Sequence, residues 1–149
     1  MTGNVLPTGS ATVDLDLIAA INAARISKSP NAELETKADQ LYQANHSFAV
    51  YGTLGPGKPN HHHISDIKGT WTDDAVTGKL VQSGWGAAMG FPALLWSQQG
   101  DAVPVQLLRS DMLPNSWDRL DTFEGAEYSR VLVPLVRGGV ANIYAHADR

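Results

Sequence analysis

Apolar positions in the first third of the chain repeat at helical spacing. Val13, Leu17, Ile21 and Ala24 form one stripe, and Leu34, Ala38 and Leu41 form a second beyond the Ser29-Pro30-Asn31 break. The pattern predicts two short amphipathic helices. Asn31 is placed to cap the second, Glu33 and Glu35 fall in its first turn where the helix dipole favours acid, and Glu33 and Lys37 stand at i, i+4. Both helices are expected to pack against the body of the domain. Residues 1–10 are rich in turn formers and carry no period, so they read as a terminal segment without regular structure.

The period changes at Ser47. Phe48 to Tyr51 is a compact apolar run that stops at Gly52, as a buried strand entering a tight loop does. Further strand-like runs are Val76 to Gln82, Ala93 to Ser97, Val103 to Arg109, Tyr128 to Val136 and Val140 to Ala145, separated by Gly, Pro, Asp and Asn clusters. One later segment reads as a helix, because Leu113, Trp117 and Leu120 recur at i, i+4, i+7 and Pro114 suits a first turn. Strands this numerous predict an α+β domain built on a closed or strongly curved sheet. No internal repeat is present.

Composition narrows the classes of function. A chain of 149 residues with 43% hydrophobic side chains can bury one core, which excludes disorder throughout. Eleven Lys plus Arg against fifteen Asp plus Glu leave a net charge of -4, far from the basic footprint of a nucleic-acid binder. No apolar run approaches the roughly 18 to 20 residues of a membrane-spanning helix, and the first basic residue is Arg25, so no secretory leader pattern is seen. A cytoplasmic protein with neither nucleic-acid nor membrane partners is expected. The absence of cysteine excludes disulfides, thiolate catalysis and thiolate metal sites, leaving chemistry to oxygen and nitrogen groups.

Glu124 is the most informative single residue. It extends the Leu113, Trp117, Leu120 stripe to i+11, which turns a carboxyl toward the core side. Burial disfavours the ionised form and raises the pKa, so such a Glu becomes a proton acceptor and donor near neutral pH. The alternative is a helix that ends before Glu124, with Gly125 in a left-handed cap and Glu124 paired to Arg130 or facing solvent. The second feature is the glycine-rich turn Gly52-Thr53-Leu54-Gly55-Pro56-Gly57, whose bare N–H groups can hold an anion or an oxyanion. Read as a phosphate loop it fails, because Pro59 follows Gly57-Lys58 where a magnesium-binding hydroxyl is required.

Other features say less. In an extended segment only two of His61, His62 and His63 share a face, too few for a zinc site, so a surface cluster is expected and no metal. His46 and His146 stand alone and receive no role. Trp71, Trp85, Trp96 and Trp117 read as core, and Gly84 to Pro92 as a close-approach loop or a bent connection. No G-x-S-x-G elbow exists, so an enzyme nucleophile has no candidate.

Three blocks of sequence resemble the gamma-glutamylcyclotransferases, in particular their γ-glutamylamine cyclotransferase-like branch. Phe48-Ala-Val-Tyr-Gly-Thr-Leu54 is similar to the family's strand and Y-G-[ST]-L loop, with Pro56, Gly57 and Asn60 in keeping. Thr77-Gly-Lys-Leu80 through Gly90-Phe-Pro-Ala-Leu94 resembles its G-x-L strand and G-x-P-A-L segment. Leu120-Asp-Thr-Phe-Glu-Gly-Ala-Glu-Tyr-Ser-Arg130 resembles L-D-x-[FY]-E-G-x-x-Y-x-R. The resemblance spans residues 47 to 146, so residues 47–149 are read as the gamma-glutamylcyclotransferase-like domain and 1–46 as a helical extension.

The resemblance implies an α+β fold with a small mixed β-barrel and flanking helices. It implies release of 5-oxoproline from γ-glutamyl amines or amino acids, without a cofactor. Glu124 matches the catalytic Glu, Tyr51, Gly52, Thr53 and Leu54 match the substrate-holding loop, and Tyr128 is a further candidate for the pocket wall. Two positions depart from the family: Gly55 stands where many relatives carry Arg, and Pro104 where Gly is common. The expected partner is a small γ-glutamyl substrate, the alternative being a protein that keeps the pocket and binds a small metabolite without turnover. The pattern does not fix an oligomeric state.

Overall fold

The structure, a computed structural model, describes residues 13–52, 54–82, 92–125 and 128–146. Helix α1 spans Leu15–Ile26 and starts where the Asp14 carboxylate accepts the Leu17 N–H at 3.0 Å. Helix α2 spans Ala32–Tyr42, and Asn31 caps it as its sequence predicts, accepting the Leu34 N–H at 3.1 Å. One residue of the expected stripe faces the other way: Leu41 is 55% exposed. Tyr42, one helical turn beyond Ala38, takes the inward place instead, and its hydroxyl accepts the Asp14 N–H at 2.8 Å.

Among the described residues six strands follow: β1 Ser47–Val50, β2 Thr70–Gln82, β3 Pro92–Trp96, β4 Asp101–Arg109, β5 Tyr128–Pro134 and β6 Val140–His146. They pair in the order β1-β4-β2-β3-β6, and β6 returns to β1, closing a five-stranded barrel with β5 added outside β6. The antiparallel ladders are long, whereas the two parallel contacts rest on the single pairs Phe48↔Asn142 and Leu94↔Ala145. The predicted α+β fold with a small mixed barrel and flanking helices is therefore what this chain forms. Strand β2 begins six residues before the expected Val76, because Thr70 to Ala75 are held by their ladder to β4 rather than by burial. Strand β5 stops at Pro134, two residues early, where the chain turns into β6 and the Leu135 N–H bonds the Gly139 carbonyl at 2.9 Å.

Among the described residues three apolar clusters organise the fold. The barrel interior is filled by Val76, Leu94, Val105, Val131, Ile143 and their neighbours. A second cluster, with Phe48, Val50, Leu54, Trp117, Leu120 and Tyr144, lies between the barrel wall and the helix that follows β4. That helix begins as a 3-10 turn at Leu113–Asn115 and continues as α3, Trp117–Glu124, yet Leu113, Trp117 and Leu120 all stay within 5% exposure. The third cluster seats the α1–α2 hairpin: Leu17, Ile18, Ile21, Ala38 and Ala44 pack on Leu132 of β5 and Val140 of β6. The Asn22 side chain donates to the Leu132 carbonyl at 2.9 Å and accepts its N–H at 2.8 Å, covering the outer edge of β5. No described helix is long and apolar enough to cross a membrane.

Candidate active site

Helix α3 ends at Glu124 because Gly125 adopts φ 81°, ψ -176°, a backbone region essentially restricted to glycine. Glu124 is consequently the last helical residue, half-buried one turn beyond Leu120 on the face that Trp117 and Leu120 fix in the second cluster. Trp117 anchors that face. Its indole N–H donates to the Asn45 carbonyl at 3.0 Å, and its ring stands edge-on to Phe48, which stands edge-on to Tyr144. Leu54 of the glycine-rich loop is buried in the same cluster, so the loop and the helix bearing Glu124 share one support.

Tyr51 follows β1 directly. Its hydroxyl donates to the Tyr144 carbonyl at 2.6 Å and accepts the Leu94 N–H at 3.1 Å, tying the end of β1 to β6 and β3 where the parallel contacts are shortest. Burial pushes the Tyr51 phenol well above its ordinary pKa, the Leu94 bond offsets part of this, and the charges of Tyr128 and Glu124 add to it. Tyr51 therefore feels the charge of both Tyr128 and Glu124. Gly52 is half-buried beside them, and Thr53 lies outside the described residues.

The Glu124 carboxyl is raised to about 7, chiefly by burial and then by the neighbouring Asp121 carboxylate one turn earlier. Among the described residues no cation pairs with it. Arg130, the partner considered from sequence, is bonded to Asp121 through Nε at 2.8 Å and Nη2 at 3.3 Å, and lies 4.5 Å from the centre of the Trp117 ring. Asp121 also accepts the Tyr144 hydroxyl at 2.6 Å. Burial raises the Tyr144 phenol, and this bond raises it further by spending the proton on a carboxylate. A Glu whose carboxyl is raised to about 7, one turn from an Asp that is ion-paired to Arg130, can exchange a proton near pH 7.

Asp121 and Tyr144 were not singled out from sequence, and Arg130 was considered only as a partner of Glu124. Asp121 and Arg130 carried a signal, since both belong to the Leu120–Arg130 block, and Asp121 precedes Glu124 by the i, i+3 spacing that places two side chains together. Tyr144 reads as one more apolar residue of a buried strand.

The histidine run is a 3-10 turn, His61–His63, not the extended segment expected. His61 Nδ1–H donates to the Leu54 carbonyl at 2.8 Å, and its ring meets the edge of Trp71. The His63 ring lies tilted against Phe123, with centroids 4.7 Å apart, and against His62 at 4.1 Å. The run therefore braces the loop and the end of α3. Among the described residues no group of three or more His, Asp or Glu is arranged around a common point for a metal. His46 Nδ1 lies 3.0 Å from the Asp39 carboxylate. Gly55 is buried, and a side chain there would run into the Gln106 amide. Pro104 sits where β4 has β2 beside it but not β1, whose pairing begins at Gln106. Trp85, most of the Gly84 to Pro92 segment, Ala126, Glu127 and the His146 side chain fall outside the described residues.

Residues 48–148 match the family described as gamma-glutamyl cyclotransferase, AIG2-like. The chain belongs to this family. Solved structures share the fold. An AIG2-like protein from Mus musculus is 22% identical with a TM-score of 0.54, over 70% of this chain and 78% of that one. A uropathogenic E. coli-specific protein is 19% identical with a TM-score of 0.55, over 68% and 78%. An uncharacterized protein from Pyrococcus horikoshii is 23% identical with a TM-score of 0.51, over 69% and 79%. No curated protein matches the chain. Within the gamma-glutamyl cyclotransferase match lie the whole barrel apart from Ser47, the Tyr51 loop and α3, whereas α1 and α2 precede it.

Proposed function

We propose that this protein releases 5-oxoproline from a γ-glutamyl amine or γ-glutamyl amino acid, with Glu124 as general acid and base. One observation carries the reading: the Glu124 carboxyl, raised to about 7, ends a helix that shares its packing with Leu54 of the Tyr51–Leu54 loop. The substrate supplies its own nucleophile, the α-amine, which reaches the γ-carbonyl within one molecule, so the protein needs to orient, move protons and hold charge. The amine nitrogen bonds the γ-carbon, the carbonyl electrons move to oxygen, and Glu124 takes the proton that the ammonium releases. Backbone N–H groups of Gly52, Thr53 and Leu54 hold the oxyanion, and Tyr51 and Tyr128 wall the pocket. The oxyanion then collapses, the bond from the γ-carbon to the leaving nitrogen breaks, and Glu124 returns its proton to the departing amine. Atoms and charges balance without a further reactant.

Release of 5-oxoproline from a panel of γ-glutamyl amino acids and γ-glutamyl amines, run with wild type and Glu124→Gln, tests the proposal. Wild-type turnover is expected, and an acid-base carboxylate contributes about 10² to 10⁴-fold, so the variant should lose activity on that scale while keeping its fold. A folded variant that turns over at the wild-type rate would remove Glu124 from the chemistry. Substrates that bind but never react would favour a metabolite-binding protein on the same fold.

A further inference from the structure

A line of polar contacts runs from the α1–α2 hairpin to the helix that carries Glu124. Arg25, in the last turn of α1, is bonded twice to Glu35 of α2, through Nε at 2.8 Å and Nη2 at 2.7 Å. Its Nη1 reaches the Asn142 side-chain oxygen at 2.8 Å and the Arg130 carbonyl at 3.3 Å. Asn142, fully buried on β6, presents that same oxygen to Arg130 Nη1 at 2.9 Å, while its amide nitrogen donates to the Ala44 carbonyl at 2.7 Å. Arg130 in turn grips Asp121, and Asp121 accepts the Tyr144 hydroxyl. Two guanidinium groups therefore converge on one amide oxygen. The arrangement is tolerable because each cation carries its own carboxylate, Glu35 for Arg25 and Asp121 for Arg130.

We infer that Arg25 is a positioning residue of the active site, acting through Asn142 and Arg130 on Asp121 and the end of α3, so that the α1–α2 hairpin is a working part of the site. Arg25 precedes the residues that match the family and its side chain is only 12% exposed. A buried guanidinium costs several kcal/mol of desolvation unless its donors are met, and here they meet both ends of Arg130: its backbone carbonyl and the oxygen that orients its side chain. Arg130 fixes where Asp121 sits, and Asp121 lies one turn before Glu124. Among the described residues, the titratable groups whose charges couple to Glu124 are Asp121 on α3, Tyr144 on β6 and Tyr51 after β1.

The kinetic arm of the test rests on the cyclotransferase reading, and a titration arm does not. Arg25→Met is expected to lower kcat about 10-fold or more with little change in KM, since small displacements of reacting groups cost rate steeply. Arg130, no longer held from behind, neutralises Asp121 less well, so the acid limb of kcat/KM moves to higher pH. Asp121→Asn moves it to lower pH. Arg25→Lys keeps a charge against Glu35 but lacks the planar fork, and should recover the Tm without recovering kcat. It is the variant to read if Arg25→Met does not fold. Ile21→Val, a core change in α1, lowers the Tm and leaves the pH profile alone. If no γ-glutamyl compound reacts with wild type, the cyclotransferase reading fails, and the inference is read from the Glu124 carboxyl resonance by ¹³C NMR in wild type and the folded Arg25 variant. An unchanged Glu124 titration, or an unchanged kcat and pH profile, overturns the role of Arg25.

Discussion

A carboxyl that is uncomfortable when ionised leaves a mark on stability as well as on chemistry. Unfolded, Glu124 titrates at its ordinary 4.5, whereas in the fold burial and Asp121 raise it to about 7. Between those values the folded chain keeps a proton that the unfolded chain has lost, so stability falls as pH rises through the window and stays reduced above it. Glu124→Gln removes the charge. The full shift corresponds to about 3 kcal/mol, and solvent at this half-buried position reduces it, so the variant should be roughly 1–3 kcal/mol more stable than wild type at pH 8. Near pH 4 the difference should vanish. Thermal denaturation at the two pH values checks this, and a variant no more stable at pH 8 would contradict the burial of the ionised group. Loss of activity together with gain of stability is the signature of a site kept under electrostatic strain for function.

At the scale of the element, what matters about α3 is where it stops. Its stripe of Leu113, Trp117 and Leu120 is legible in the sequence and holds although the first turn is 3-10. The stop depends on Gly125, where any side chain must adopt φ 81°. Open space surrounds the position, so an added methyl group meets no neighbour and the penalty is conformational. Gly125→Ala should therefore cost about 1–3 kcal/mol in stability and shift the last turn of α3. Displacing Glu124, the proposed acid-base group, in this way should lower kcat up to about 100-fold. Measuring Tm and kcat together separates the two effects, and a wild-type kcat would show that Glu124 does not need this helix end. The loop opposite is braced through its backbone, by the His61 bond to the Leu54 carbonyl, a contact between residues seven apart that no periodic pattern reveals.

For the whole molecule, the hairpin is joined to the barrel by both apolar and polar contacts. Leu17, Ile18 and Ile21 are each within 7% exposure against Leu132 and Val140. Burying three such side chains is worth about 1.5–3 kcal/mol each, a large share of the roughly 5–15 kcal/mol that holds a domain together. A chain beginning at Ala44 is expected to lose about 10 °C or more in Tm, with Leu132 and the edge of β5 uncovered. Equal Tm values for the shortened and full chains would place the hairpin outside the cooperative unit. The Arg25 contacts add a functional loss to the same truncation, which the single substitutions resolve from the loss of packing.

By itself the sequence determined the element types and the barrel class, and it singled out the two segments on which the proposed function rests. Hydrophobic period is set by neighbours a few residues apart, and the Asn31 cap, the Gly52 turn and the Glu124 step are all local relations. It also carried the blocks that mark the family. Tertiary structure alone decided the pairings. Arg130 is taken by Asp121 rather than Glu124, the Tyr51 hydroxyl closes the barrel seam, and Arg25 meets Asn142 across 117 residues of chain. Asn142 illustrates the difference: an amide in the buried run Val140 to Ala145 signals that partners must exist, because an unpaired polar group costs too much inside a core. Which partners they are depends on how β6 closes against β1 and β5 and where the hairpin comes to rest, and that is settled only when distant segments pack.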